Sequence, residues 1–250
     1  MIVMPRMRLA WMPVFALLLS AVCLAEDKIR VACVGDSITW GTAMTNRAVE
    51  CYPAQLQKML GDRYDVRNFG DPGSCAYMDP TKDSSGWAPH SWRKGQMAAA
   101  AYAFKPDIVV SGLGANDQGI YMYEYSYDEK GVPKTEPGLF RRQYAEILED
   151  FKKDGRSPRF VVWTKLCPIG KKHRSKGKPA PFVIRRELEA VADAFGATKL
   201  DMYTPLLPYP ETEHYANDGV HPEGVAQRAI AEVTARAIRD LELSRHEPIK

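Results

Sequence analysis

Ile29-Arg30-Val31-Ala32-Cys33-Val34-Gly35-Asp36-Ser37 decides how the rest of this 250-residue chain is read. Its Ile and Val side chains form a short apolar run of the kind that fills a strand buried on both faces, the usual setting of a parallel sheet. A Ser at the end of such a strand is a candidate nucleophile. Near the other end of the chain stands Asp218-Gly219-Val220-His221, which offers a general base and its orienting carboxylate three residues apart. His221 would take the Ser37 proton, and Asp218 would hold the imidazole tautomer that makes this possible. The pattern points to a serine hydrolase.

Residues 64–68, 107–113, 159–164 and 198–202 share the Val, Ile and aromatic enrichment of the first run and are the further expected strands. Helices are expected over residues 52–60, 93–104, 139–153, 182–195 and 223–243, punctuated by Pro106, Gly155, Gly196 and Pro222. Alternation of this kind implies a mostly parallel sheet covered on both faces. Such sheets bind ligands beyond the carboxyl ends of their strands. Ser37 follows the first strand, Gly70-Asp71-Pro72-Gly73 the second, Gly114-Ala115-Asn116-Asp117 the third, and Asp218 and His221 the fifth. The polar motifs therefore collect at one edge.

Arg6 and Arg8 precede an apolar stretch over residues 11–19, too short for a comfortable membrane span, and small residues follow. Residues 1–25 read as a signal peptide cleaved after Ala25, so the expected location is secreted or periplasmic, with no stable membrane association after cleavage. Residues 26–250 carry no linker or repeat and are expected to form a single domain. The 34 basic and 31 acidic side chains nearly cancel, which argues against an electrostatic nucleic-acid binder. Cys33, Cys51, Cys75 and Cys167 form no CxxC pair, and no His stands at metal-ligand spacing, so neither metal nor cofactor is expected. In an oxidising compartment Cys51 and Cys75 are the preferred disulfide pair. Cys33 and Cys167 read as small buried hydrophobes.

Four blocks in order, Gly35-Asp36-Ser37, Asn68-Phe69-Gly70-Asp71-Pro72-Gly73, Gly114-Ala115-Asn116-Asp117 and Asp218-Gly219-Val220-His221-Pro222, resemble the SGNH (GDSL) hydrolase superfamily. The resemblance implies a three-layer α/β/α sandwich around a five-stranded, mainly parallel, flavodoxin-like sheet. It also implies an active-site triad of Ser37, His221 and Asp218. The Ser37 N–H, the Gly73 N–H and the Asn116 side-chain amide would then stabilise the tetrahedral oxyanion. Pro72 and Cys75 depart from the family's pattern in the second block, which leaves Gly70 open as an alternative to Gly73.

The chain is most similar to exported bacterial sialate or carbohydrate O-acetylesterases of this superfamily, by Tyr52-Pro53, Leu56, Met59-Leu60-Gly61 and Asn68-Phe69-Gly70. The expected function is hydrolysis of short acyl esters, acetyl first, on a small or oligosaccharide substrate. Trp40, Trp87, Trp92, Asp117 and Tyr121 are candidate substrate contacts, since aromatic faces with polar rims stack on sugar rings. Tyr121, Tyr123, Tyr125 and Tyr127 read equally as one face of a surface hairpin. The basic residues 171–178 read as a solvated loop. Two other readings stand beside the leading one. A lipid acylhydrolase would need a continuous apolar channel, for which these loops are too polar and aromatic. A non-catalytic glycan-binding protein fits poorly with intact Ser37, Asn116, Asp218 and His221. Of the five histidines, only His221 has a partner at useful spacing in sequence.

Overall fold

A computed structural model describes residues 27–77, 90–117, 138–167, 182–209 and 214–244. The expected signal peptide, Trp87, the Tyr121 to Tyr127 series and the basic stretch at 171–178 lie outside these residues. The five expected strands form as β1 (Ile29–Gly35), β2 (Tyr64–Gly70), β5 (Ile108–Ser111), β6 (Arg159–Lys165) and β7 (Thr198–Asp201). They make one five-stranded sheet in the order β2-β1-β5-β6-β7, with every pairing parallel. This is the flavodoxin-like order, and its direction reverses between β1 and β5.

Burial on both faces explains the apolar runs. Along β1, Val31 and Cys33 point to one core while Ala32 and Val34 point to the other. Phe160 and Val162 of β6 join the second of these cores, and Val161 and Trp163 the first. Helices α3 (Tyr52–Leu60) and α7 (Gly224–Leu243) cover the Val31 face through Tyr52, Leu56, Ile230 and Ile238. Helices α4 (Gln96–Phe104), α5 (Leu139–Asp150) and α6 (Phe182–Ala194) cover the other through Ala101, Phe104, Phe140, Ile147 and Leu188. Three layers result.

Two expected helices begin or end differently from their patterns. The segment at 93–104 is broken at Gly95 into a 3₁₀ turn, Trp92–Lys94, and α4. The segment at 139–153 ends as α helix at Asp150. Sequence periodicity also misses the four-residue helices α1 (Ser37–Trp40) and α2 (Arg47–Glu50) and the short parallel pair β3 (Ser74–Cys75) and β4 (His90–Ser91).

Among the described residues the four cysteines, Cys33, Cys51, Cys75 and Cys167, are free and buried, which corrects the expected Cys51–Cys75 disulfide. The Asn68 amide donates to Cys51 Sγ at 3.5 Å, while Cys75 Sγ approaches Gly73 O at 4.0 Å, so the two sulfurs face separate partners. Cys33 and Cys167 are packing residues as expected, and burial pushes both thiols well above their ordinary range.

One buried polar side chain joins three elements. Gln227 of α7 accepts from the Tyr52 N–H at the start of α3 and donates to Ile38 O of α1 and to Pro222 O, next to His221. A buried backbone group left unpaired costs about 1–3 kcal/mol, so replacing this amide with an apolar side chain is expensive. Gln227→Leu is expected to lower unfolding free energy by on the order of 3 kcal/mol, measured by urea denaturation. A change below about 0.5 kcal/mol, the size of an ordinary surface substitution, would show that the three backbone groups do not depend on it.

Candidate active site

Asp36 closes β1 and caps α1, its Oδ1 accepting from the Ile38 N–H at 2.9 Å. Ser37 is therefore the first residue of a helix, where backbone N–H groups have no intrahelical acceptor. Gln227 holds this short helix from one side. From the other, Asn68 Nδ2 donates to Thr39 O at 2.9 Å and to Trp40 O at 3.3 Å. Gly70 must lack a side chain, because a Cβ there would lie 2.3 Å from the Trp40 backbone nitrogen.

Across the sheet edge, residues 215–222 fold into a tight hairpin. Tyr215 bridges Pro222, the Ala216 N–H donates to His221 O at 2.9 Å, and Gly219 takes a left-handed φ of 67° at the tip. Asp218 Oδ1 accepts from the Val220 and His221 N–H groups at 2.8 and 3.1 Å, while Oδ2 lies 2.5 Å from His221 Nδ1. His221 Nε2 lies 2.8 Å from Ser37 Oγ. With Nδ1–H given to the carboxylate, Nε2 carries the lone pair and accepts from the serine hydroxyl. Burial by itself raises the Asp218 carboxyl, but the Val220 N–H and both His221 donors outweigh it and hold the group below its ordinary value. Asp218 thus stays ionised beside the imidazole.

Asn116 stands after β5 and donates Nδ2–H to Ser74 O at 2.9 Å, which leaves its second amide hydrogen for a ligand. The Gly70 N–H is already given to Asn68 Oδ1 at 2.9 Å. Of the two glycines the second block left open, Gly73 is the one whose turn, at φ 84°, is not held by that bond. Ser37, Gly73 and Asn116 therefore belong to three loops at the same strand ends.

Two expected substrate contacts are corrected. Trp92 is completely buried, its indole N–H donating to Phe69 O at 2.9 Å, so it offers no surface to a sugar. Asp117 is also completely buried, and its carboxylate accepts from the Ala76 and Tyr77 N–H groups at 3.1 and 2.7 Å. It braces the segment after β3 instead of meeting substrate. Trp40 remains partly exposed, with the Arg47 guanidinium 3.5 Å above one ring face. Among the described residues no group of three His, Cys, Asp or Glu side chains is placed to hold a metal ion. Sequence reasoning missed Asn68 and Gln227 as supports of the Ser37 helix. The polar Gln227 among Ala226, Ile230 and Ala231 of an apolar helix face was the available signal.

Burial pushes the Asp36 carboxyl from 3.8 up to about 6, against the pull of the Ile38 N–H and of His221. Burial likewise pushes Asp117 from 3.8 up to about 7, against the backbone N–H groups of Tyr77, Ala76 and Asp117 itself, with the charge of Asp36 adding to the rise. A carboxyl whose pKa is higher folded than unfolded holds its proton longer in the native state. Its contribution favours folding below pH 3.8 and is lost as pH rises through about 6 for Asp36. Asp36→Asn removes one such group, so its stability is expected to fall less steeply than wild type between pH 4 and 6. The difference is on the order of 1–3 kcal/mol, read from denaturation curves across pH. Parallel wild-type and variant profiles would contradict it.

A family profile described as the GDSL-like lipase/acylhydrolase family matches residues 33–229. The chain is 30% identical over 227 residues to an acetylxylan esterase from Xylanibacter ruminicola, covering 86% of this chain and 44% of the relative. It thus spans less than half the length of that protein. Among solved structures, an acetyl xylan esterase superposes with a TM-score of 0.59 at 20% identity, over 84% of this chain and 100% of the other. The carbohydrate acetylesterase Est24 from Sinorhizobium meliloti gives 0.59 at 19% identity, over 86% and 100%. A putative arylesterase from Agrobacterium tumefaciens gives 0.59 at 22% identity, over 84% and 98%. At these identities the solved structures speak for the fold.

Proposed function

Because the chain belongs to the GDSL-like lipase/acylhydrolase family, we propose that it is an exported serine esterase that removes short acyl groups, acetyl foremost, from carbohydrate hydroxyls. The observation that carries this reading is His221 set between Asp218 and Ser37, with Nδ1 on the carboxylate at 2.5 Å and Nε2 on the hydroxyl at 2.8 Å.

Ser37 Oγ attacks the ester carbonyl as its proton passes to His221 Nε2. The resulting imidazolium is stabilised by Asp218, which remains an anion. Charge developing on the carbonyl oxygen is met by the Ser37 and Gly73 N–H groups and the Asn116 amide. Each such donor is worth on the order of 3 kcal/mol of barrier. The tetrahedral adduct collapses as His221 returns the proton to the sugar oxygen, leaving acyl-Ser37 and a free hydroxyl. Water deprotonated by His221 then releases the carboxylic acid and regenerates the serine. Side chains and backbone donors supply every role.

Two features support acetyl and carbohydrate. The 30%-identical relative bears the name acetylxylan esterase. Trp40, one helical turn from Ser37, keeps an aromatic surface beside the nucleophile. Export rests on the composition of residues 1–25, with residues 26–250 as the mature chain.

Ser37→Ala is expected to lower kcat by at least about 1000-fold on p-nitrophenyl acetate with an unchanged circular dichroism spectrum. Undiminished turnover would overturn the mechanism. Wild type is expected to favour acetyl over long-chain p-nitrophenyl esters and to release acetate from acetylated xylo-oligosaccharides. Preference for long chains would reassign it as a lipid acylhydrolase.

A further inference from the structure

His90 has no partner at useful spacing in the sequence, yet the fold gives it one. Its Nε2 lies 2.9 Å from Asp71 Oδ2, in the turn that carries Gly73. The His90 N–H also donates to Gly73 O at 3.4 Å, and His90 pairs in register with Ser74. A Cβ built on Gly73 would lie 3.8 Å from both Cε1 and Nδ1 of the ring, so the imidazole faces the Gly73 Cα across about the space of one methyl group. The pair is a second histidine-carboxylate dyad beside the one formed by His221 and Asp218.

The turn between Asp71 and Ser74 is held at several points, each leading back to the site. The Asp71 N–H donates to Gly35 O at 2.9 Å, two residues before Ser37. The Ser74 N–H closes the turn on Asp71 O at 3.0 Å, and Asn116 donates to Ser74 O. Pro72 lacks an N–H, so it supplies no backbone donor of its own. Gly95 makes room for the Asp71 carboxylate, since a Cβ there would lie 2.9 Å from Oδ2. Among the described residues, His90 provides the side-chain donor to that carboxylate.

We propose that His90, acting through Asp71, is a positioning residue that fixes the Gly73 N–H toward the acyl oxygen. This rests on the reading of Gly73 as an oxyanion donor. A donor fixed before charge develops needs no reorganisation in the transition state, so loosening it lowers kcat and leaves substrate binding largely intact. A role confined to folding would lower stability without that split.

The test compares His90→Phe, which keeps ring bulk without a donor, with His90→Gln, whose amide can still reach Asp71. His90→Phe is expected to lower kcat about 10–100-fold with KM within about threefold of wild type. Affinity for phenylboronic acid, whose serine adduct places an oxygen in the same hole, falls by a similar factor. His90→Gln restores most of both. Asp71→Ala serves as the second variant: it matches His90→Phe, and the double substitution is no worse than either single one. Wild-type kcat in His90→Phe, a kcat loss with unchanged boronate affinity, or failure of His90→Gln to restore activity would each overturn the proposal. If Ser37→Ala is inert while His90→Phe is fully active, this inference alone fails. An active Ser37→Ala would remove the reading beneath it.

Discussion

The hydrogen bond between Ser37 and His221 spans 184 positions of sequence and must be held by something other than itself. That constraint falls on Gln227, one turn into the last helix. Its amide ties Ile38, immediately after Ser37, to Pro222, immediately after His221, and takes the Tyr52 N–H as well. The parallel sheet brings the loops to one edge, since β1, β2 and β5 all end there. Gln227 then sets the spacing between the segments that carry Ser37 and His221. Asn68 does the corresponding work from β2, holding the far end of the Ser37 helix.

Electrostatics divide the carboxylates near Ser37 into two kinds. Asp218 is partly exposed and receives three donors, so it stays ionised against the His221 ring. Asp36 and Asp117 are completely or almost completely buried, burial raises both, and the charge of Asp36 adds to the rise of Asp117. Their work is structural: one caps the Ser37 helix, the other braces residues 76 and 77 after the Gly73 turn. Stability at neutral pH is lowered by two buried carboxyls whose ionisation burial disfavours, while their hydrogen bonds hold the segments around Ser37.

Much of this was legible in the chain, for reasons of burial and period. Strands with both faces covered are continuous apolar runs, and β1, β5 and β6 were found within two residues of their ends. The contact of Ser37, His221 and Asp218 was legible because each stands in a short motif after a strand. The elements α1, α2, β3 and β4 were not, since four residues show no helical period and two show no strand alternation. Trp92 misled because a tryptophan in a polar stretch looks exposed, and only the fold supplies Phe69 O as the acceptor that lets its indole be buried. Asp117 misled by standing next to Asn116. His90 was passed over because Asp71 lies 19 residues away and meets it only across the β3–β4 pair.

The central claim is that Ser37, activated by His221, is the nucleophile. Mass spectrometry of the protein after treatment with a fluorophosphonate tests it most directly, because the reagent captures a serine only when a base has activated it. One adduct per chain, on the peptide carrying Ser37 and absent from a His221→Ala variant treated in parallel, is the predicted result. An adduct on another residue, or equal labelling of Ser37 without His221, would contradict it.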